Sequence, residues 1–340
     1  MNIKCCIVGL PNVGKSALFN VLTNQQINSQ NYPFCTIKSN LGSVNVPDDR
    51  LNKLSNIFNI KNIIKSNIEI IDVAGLVKNA SQGMGLGNKF LSDIRNTNLI
   101  IHVLRCFDNT EISHIYNTVD PLRDKEIVEL ELQLKDLETI DKRMLKINKY
   151  CDTKNLLNEK IFLDKCKNLL LKGVNLNYMQ DISNSNLHIL NNISFLTYKK
   201  SIFVGNISNN NYIYIDKLKN KYSLDNDSII SIDINSYKND CDNINLLIKK
   251  CFNMLNMINF FTIDNKEIHS WCIKKGSTIL DAAGIIHSDI KKNFICSEVY
   301  SYYDICEYKS LNALKLNYKK NIKGKDYLIK DGDIINIKHR

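Results

Sequence analysis

The chain has 340 residues, with 45 Lys and Arg against 35 Asp and Glu, a net charge of +10 and 44% hydrophobic residues. That is the balance of a soluble globular protein of two or three domains with enough apolar content for a core; no uninterrupted apolar run reaches the roughly 18 residues of a membrane span, so none is expected. The 11 cysteines are odd in number and show none of the paired C-x-x-C spacings of a zinc site, which fits free thiols in a reducing cytosol better than a disulfide framework.

The first predicted elements flank a glycine-bearing turn. Cys5-Cys6-Ile7-Val8 is a short apolar run, Ala17 to Leu22 has helical spacing, and Gly9-Leu10-Pro11-Asn12-Val13-Gly14-Lys15-Ser16 lies between them. Glycines at a strand-to-helix turn, followed by Lys-Ser, make a phosphate-binding loop. Its backbone N–H groups converge at the positive end of a helix; Lys15 can reach the β and γ oxygens and the Ser16 hydroxyl can ligate Mg²⁺. Because the N-terminus runs directly into the first strand, no signal or transit peptide is expected.

Thr36 follows about twenty residues later, the distance at which switch NTPases close a threonine over the γ-phosphate and metal. Ile68-Glu69-Ile70-Ile71 reads as a buried strand that delivers Asp72-Val73-Ala74-Gly75 at its carboxyl end, where Asp72 can hold a metal-bound water and Gly75 can bring its N–H to the γ-phosphate. The next residue, Leu76, has neither donor nor acceptor and stands where many GTPases carry a glutamine that orients water. Ser81-Gln82-Gly83-Met84-Gly85-Leu86-Gly87 is costly to order, a property expected of a segment that moves with nucleotide state. Leu99 to Leu104 is a further buried strand with His102 inside it as a core histidine, and His114 stands in the polar segment Asp108 to His114 as a loop histidine.

From Pro121 to about Gly173 apolar residues recur at three, four and seven, which predicts two long amphipathic helices in an antiparallel hairpin inserted into the α/β pattern. The pattern resumes with Ser201 to Gly205 and the loop Asn206-Ile207-Ser208-Asn209. A guanine-specific protein carries Asn-Lys-x-Asp there. Ile207 and Asn209 occupy the lysine and carboxylate positions, and a neutral amide bond contributes about 0.5–1.5 kcal/mol against about 1.5–3 for a charged one, so guanine discrimination should be weak. A strand over 228–232 and a helix around 244–258 complete the first domain. Beyond Phe260 the sequence is strand-rich, with a helix over 279–287, and reads as a small α+β domain without a catalytic constellation. Its Lys291, Lys292, Lys319, Lys320, Lys323 and Lys325 either face RNA or solvate the surface.

These motifs together resemble the YchF/OLA1 family of Obg-related P-loop NTPases, over essentially the whole chain. The residues that carry the likeness are Gly9 to Ser16, Tyr32 to Thr36, Asp72 to Lys78, Gly83 to Asn88, Arg105-Cys106-Phe107, the helical insertion, and Gly324 to Tyr327 with Lys330 to Asp333. The leucine after Asp-x-x-Gly and the missing Asn-Lys-x-Asp are both traits of that family. The resemblance implies an α/β fold: a P-loop G domain with a mixed, mostly parallel sheet (1–120 and 186–258), a helical hairpin insertion (121–185) and a C-terminal ubiquitin-like TGS domain (259–340). It implies a cytoplasmic, Mg²⁺-dependent ATPase acting as a slow switch on the ribosome, with no DNA or membrane partner, as a monomer or weak oligomer. The alternatives are a nucleotide-gated RNA module with negligible hydrolysis and a GTP-preferring GTPase.

Carried onto matching positions, Asn12, Val13, Gly14, Lys15, Ser16 and Ala17 would bind phosphates, with Gly75 at the γ-phosphate. Ser16, Thr36 and Asp72 would serve the metal, and Asn206, Ile207 and Ser208 would face the adenine. Lys15 would stabilise the transferring phosphoryl group, and His114 would position water in place of the absent glutamine. Ala17, Asn79 and Asn209 depart from the family's hydroxyl residue, glycine and glutamate at those places.

Overall fold

The computed structural model describes residues 3–24, 41–73, 86–149, 154–209, 211–222, 228–236, 241–310 and 321–340. Two compact units emerge: Lys4–Gly42 with Ile70–Ile244, and Met1–Ile3 with Ser43–Glu69 and Asn245–Arg340. This division differs from the expected boundaries in one respect above all. Residues 43–69 belong with the C-terminal unit, although they precede most of the nucleotide-binding motifs.

In the first unit, parallel strands β1 (Lys4–Val8), β5 (Leu99–Arg105), β6 (Lys200–Asn206) and β7 (Ile229–Ile232) lie side by side, while the residues of β2 (Leu41–Asn45) and β4 (Asn67–Asp72) are divided between the two units. Every residue of β5 is buried, as a near-continuous apolar run demands when both sheet faces are covered. The expected helix after the phosphate loop is α1 (Lys15–Asn24). Parallel strands need crossovers, and these place every strand-to-helix loop of β1, β5, β6 and β7 at the carboxyl edge, where open α/β sheets bind ligands.

The insertion is α4 (Pro121–Lys149) and α5 (Lys154–Leu171), packed on one another as the heptad-like spacing predicts. Its apolar cluster does not stop at residue 185. Ile140, Ile147, Phe162, Leu163 and Leu170 pack with Leu190 of α6 (Asn184–Ile193) and with Phe195. Buried Asp136 fastens α4 to the chain entering β6 by accepting bonds from the Leu196 and Thr197 amides at 3.0 and 2.8 Å and from the Thr197 hydroxyl at 2.7 Å.

The C-terminal unit holds β8 (Met257–Ile263), β9 (Glu267–Lys274), β10 (Phe294–Ser301), β11 (Asn321–Lys323) and β12 (Asp333–His339), with β3 (Asn62–Ile64) added at the edge beside β9. Helix α2 (Arg50–Phe58) buries Leu51 and Leu54 against Phe261, Ile268 and Ile334 of that unit. Helix α9 (Ile279–Ile286) opens on a capping box in which Thr278 and Asp281 satisfy each other's backbone amides. The helix expected over 244–258 is α8 (Cys241–Met254) and is shorter than the apolar pattern suggested. Asn256 adopts a left-handed conformation at φ 53°, and Met257 and Ile258 join β8.

Candidate nucleotide-binding site

The turn after β1 is built by close approaches that only glycine permits. A Cβ on Gly9 would stand 2.5 Å from the Val103 carbonyl oxygen, and one on Gly14, at φ 104°, would stand 2.5 Å from Asn206 Nδ2. Between them Asn12 takes φ 62°, a left-handed value that asparagine tolerates. The α1 ladder begins with the Leu18 amide donating to the Gly14 carbonyl, so the amides of Gly14, Lys15, Ser16 and Ala17 are the orphan donors of the helix N-terminus. The sequence therefore makes a ring of N–H groups at the positive end of α1, at the carboxyl edge of the sheet.

Three charged or polar side chains gather on this ring. Lys15 is buried and its Nζ donates to the Leu10 carbonyl at 2.8 Å, spanning the loop from inside. Burial pushes its ammonium down to about 8, with Asp72 acting in the opposite sense. The Ser16 hydroxyl donates to Asp72 Oδ2 at 2.7 Å, while Asp72 Oδ1 is buried with no hydrogen-bond partner among the described residues. An orphaned carboxylate oxygen beside a hydroxyl is a hard oxygen donor set, and it suits Mg²⁺ held through one carboxylate and phosphate oxygens. Thr36 and Gly75, expected at the metal and the γ-phosphate, lie outside the described residues, as do Leu76 and Asn79.

Asn206, expected to face the adenine, is buried at the end of β6. Its Nδ2 donates to the Val13 carbonyl at 3.0 Å, so this buried amide pins the phosphate loop to the end of β6. Ile207 is buried and continues the sheet through its amide to the Ile232 carbonyl, which makes its side chain a core residue. Ser208 is half-buried; Asn209 follows at φ 52° with its amide donating to Asp233 Oδ2 at 3.3 Å. Ala17 is exposed on α1.

His102 is buried in β5, as expected of a core histidine, and burial together with Lys125 and Lys15 pushes its imidazole down to about 3. His114 is buried too, which its polar sequence neighbourhood did not suggest. Its Nε2 lies 2.8 Å from Asp124 Oδ2 on the first turn of α4, and its Nδ1 accepts from the Tyr116 amide at 3.2 Å. The preceding residue sits at the phosphate loop, since Asn12 Nδ2 donates to the Ser113 carbonyl at 3.2 Å.

Sequence reasoning missed what holds that segment in place. Arg105, buried at the end of β5, donates from Nε, Nη1 and Nη2 to the carbonyls of Phe107, Ile112 and Asn109 at 3.2, 3.0 and 2.9 Å. One guanidinium thus organises the whole loop before His114, and its signal was a lone cation ending an otherwise apolar strand. A second feature of the same unit is a cleft of about 840 Å³ among α3 (Leu86–Arg95), α4, α5 and α6. Arg95, Lys135, Lys142, Arg143 and Lys146 line it together with Glu159, which Arg143 engages at 2.6 Å, while Lys135 pairs with Glu138 at 2.8 Å.

Known proteins resemble this chain over almost its whole length. A family model described as a 50S ribosome-binding GTPase matches residues 4–152, and the YchF C-terminal model, described as a protein of unknown function (DUF933), matches residues 257–340. The chain is 41% identical to a ribosome-binding ATPase YchF of Buchnera aphidicola, covering 99% of both chains. It is 36% identical to that of Escherichia coli O157:H7, again with 99% of both chains covered. The structure of the Schizosaccharomyces pombe YchF GTPase superposes with a TM-score of 0.85 at 33% identity, covering 99% of this chain and 98% of the other.

Proposed function

This chain belongs to the YchF family of P-loop nucleoside triphosphate hydrolases, and on that footing we propose that it is an Mg²⁺-dependent ATPase that binds the ribosome and changes conformation with its nucleotide. The observation that carries the reading is the Ser16–Asp72 pair on the phosphate loop, with Asp72 Oδ1 left for a cation. Ser16 and Asp72 would hold Mg²⁺, with Thr36 as a further ligand; when bound, the metal offsets charge on the β and γ oxygens. The amides of Asn12 to Ala17, joined by that of Gly75, receive the phosphates. Lys15, released from the Leu10 carbonyl, places its ammonium against the transferring phosphoryl group, where developing negative charge is worth most in a desolvated site. His114 orients the attacking water.

Adenine is favoured over guanine because Asn209 offers no carboxylate to the N1–N2 edge and the Asn206 amide nitrogen is committed to Val13. Asn206, Ile207 and Ser208 frame the base through backbone and loop position. Binding to the ribosome is supported by the relatives' name as ribosome-binding ATPases, the +10 charge, and the basic cleft beside α3, the helix that follows the Asp-x-x-Gly segment. The exposed Lys291, Lys292 and Lys325 of the C-terminal unit, read as the TGS domain, add to that charge. A soluble, cytoplasmic setting follows from the ribosomal partner.

Equilibrium titration with ATP and GTP in Mg²⁺, followed by single-turnover hydrolysis with and without ribosomes, tests the proposal. Tighter ATP binding and a turnover raised by ribosomes are expected. A tenfold preference for GTP would overturn the base assignment, and co-sedimentation with ribosomes that ignores nucleotide state would overturn the switch.

A further inference from the structure

Two contacts around His114 assign its chemistry more narrowly than its position does. Nδ1 accepts the Tyr116 amide proton, so Nδ1 carries no proton, and the neutral ring must hold its proton on Nε2 and donate it to Asp124 Oδ2. Asp124 is almost fully buried, and its other oxygen, Oδ1, takes Arg123 Nε and Nη2 at 3.1 and 2.9 Å. Arg123 is itself fixed by the Thr118 carbonyl at 2.8 Å, by the Thr118 hydroxyl at 2.9 Å and over the Tyr116 ring at 4.6 Å. A carboxylate held from behind by a guanidinium and turned onto one imidazole nitrogen is the arrangement by which an aspartate fixes a histidine's tautomer.

We infer that Asp124 is the positioning residue of an Asp–His dyad in which Nδ1 of His114 is the nitrogen that meets the attacking water. The inference rests on the reading of His114 given above and deepens it. Of the two bonds to the ring, the one to Tyr116 is the longer, neutral and local; the one to Asp124 is short, buried and charge-assisted. A shift of the 114–117 turn, whose Asn117 already lies at φ 58°, would expose Nδ1 while Asp124 keeps Nε2. The Asn12–Ser113 bond tethers the same turn to the phosphate loop, so nucleotide contacts at Asn12 and the placement of His114 are linked. In the step itself, water oxygen bonds to the γ-phosphorus and the bond from phosphorus to the β–γ bridging oxygen breaks. That oxygen's electron pair leaves with ADP, and one water proton passes to Nδ1. The imidazolium formed keeps its Nε2–H on Asp124 until Nδ1 returns its proton to solvent.

Asp124→Asn separates this role from packing. An asparagine has one acceptor oxygen, which Arg123 claims, so its NH₂ faces Nε2 and drives the ring proton to Nδ1, where it opposes the Tyr116 amide. Two measurements on the full-length chain test it: single-turnover ATP hydrolysis with ribosomes for wild type, His114→Ala, Asp124→Asn and the double variant, and ring-nitrogen NMR of ¹⁵N-histidine-labelled protein. The expected results are a turnover about tenfold or more slower for Asp124→Asn with KM for ATP within about twofold, no further loss in the His114→Ala background, and a ring proton moved from Nε2 to Nδ1. If His114→Ala is slow but Asp124→Asn turns over normally, adds its own loss in the double variant, or keeps Nε2 protonated, the dyad is wrong while the histidine's role survives. Unchanged turnover in both single variants removes the dyad and that role together.

Discussion

Two polar clusters, one in each unit, show how differently a chain can treat buried charge. In the C-terminal unit, Arg50 donates to Asp48 at 2.9 and 2.8 Å and to Asp331 at 2.8 and 3.2 Å, while Asp48 also takes the Asn259 amide at 3.1 Å and Asp331 the Asn259 backbone N–H at 3.0 Å. Burial raises the Asp48 carboxyl, but Arg50 and Asn259 more than reverse this and hold it below the usual carboxylate range. Every charge in the cluster has an answer. On the phosphate loop the reverse holds: Asp72 Oδ1 has no partner among the described residues, and Lys15 is depressed by burial and rests on a backbone carbonyl. The satisfied cluster stabilises the fold; the unsatisfied one has the pattern expected of a functional site.

Exchanging a charge in each cluster should separate the two roles. Lys15→Ala is expected to slow hydrolysis by about 10²-fold or more, the scale of losing one donor to transition-state charge, while thermal unfolding moves little; a large fall in melting temperature would mean Lys15 is structural. Arg50→Met should do the opposite. It leaves Asp48 buried without its cation and should cost about 2–3 kcal/mol in denaturant unfolding, with ATP affinity unchanged.

The clusters should also answer pH in opposite directions. Lys15 falls from 10.5 to about 8 on folding, so between those values the unfolded chain holds a proton the folded chain has lost, and stability gained at Lys15 rises with pH across that window. Phosphate favours the charged ammonium. Nucleotide binding above about pH 8 should therefore take up a proton, read by calorimetry in buffers of different ionisation heat; binding without uptake would remove the argument. Asp48 is depressed on folding, so its contribution is present above the ordinary carboxylate pKa of about 3.9 and is lost as pH falls through its lower folded value. The smallest effect belongs to a pair that is neither stored nor buried. Lys167 meets Asp141 at 2.6 Å on the exposed hairpin surface, and Lys167→Ala should change unfolding by less than about 0.5 kcal/mol.

What the sequence determined by itself was whatever depends on local pattern. The strand–turn–helix around Gly9 to Ser16, the strands ending at Asp72 and Arg105, the two insertion helices and the helix that opens at Ile279 all follow from periodicity and from residues a few positions apart. Tertiary structure alone decided the pairings between distant residues. Strand β3 at 62–64 found its partner β9 some two hundred residues later, and so drew residues 43–69 into the C-terminal unit, a choice no local pattern encodes. Asn206, expected to face the adenine, also donates to the Val13 carbonyl, a bond that depends on the end of β6 reaching the phosphate loop. His114 looked like an exposed loop residue because its neighbours are polar, yet Arg105 folds that loop inward and Asp124 supplies the buried acceptor. A side chain's type limits the bonds it can make, but which bond it makes is settled by the partner that packing brings within reach.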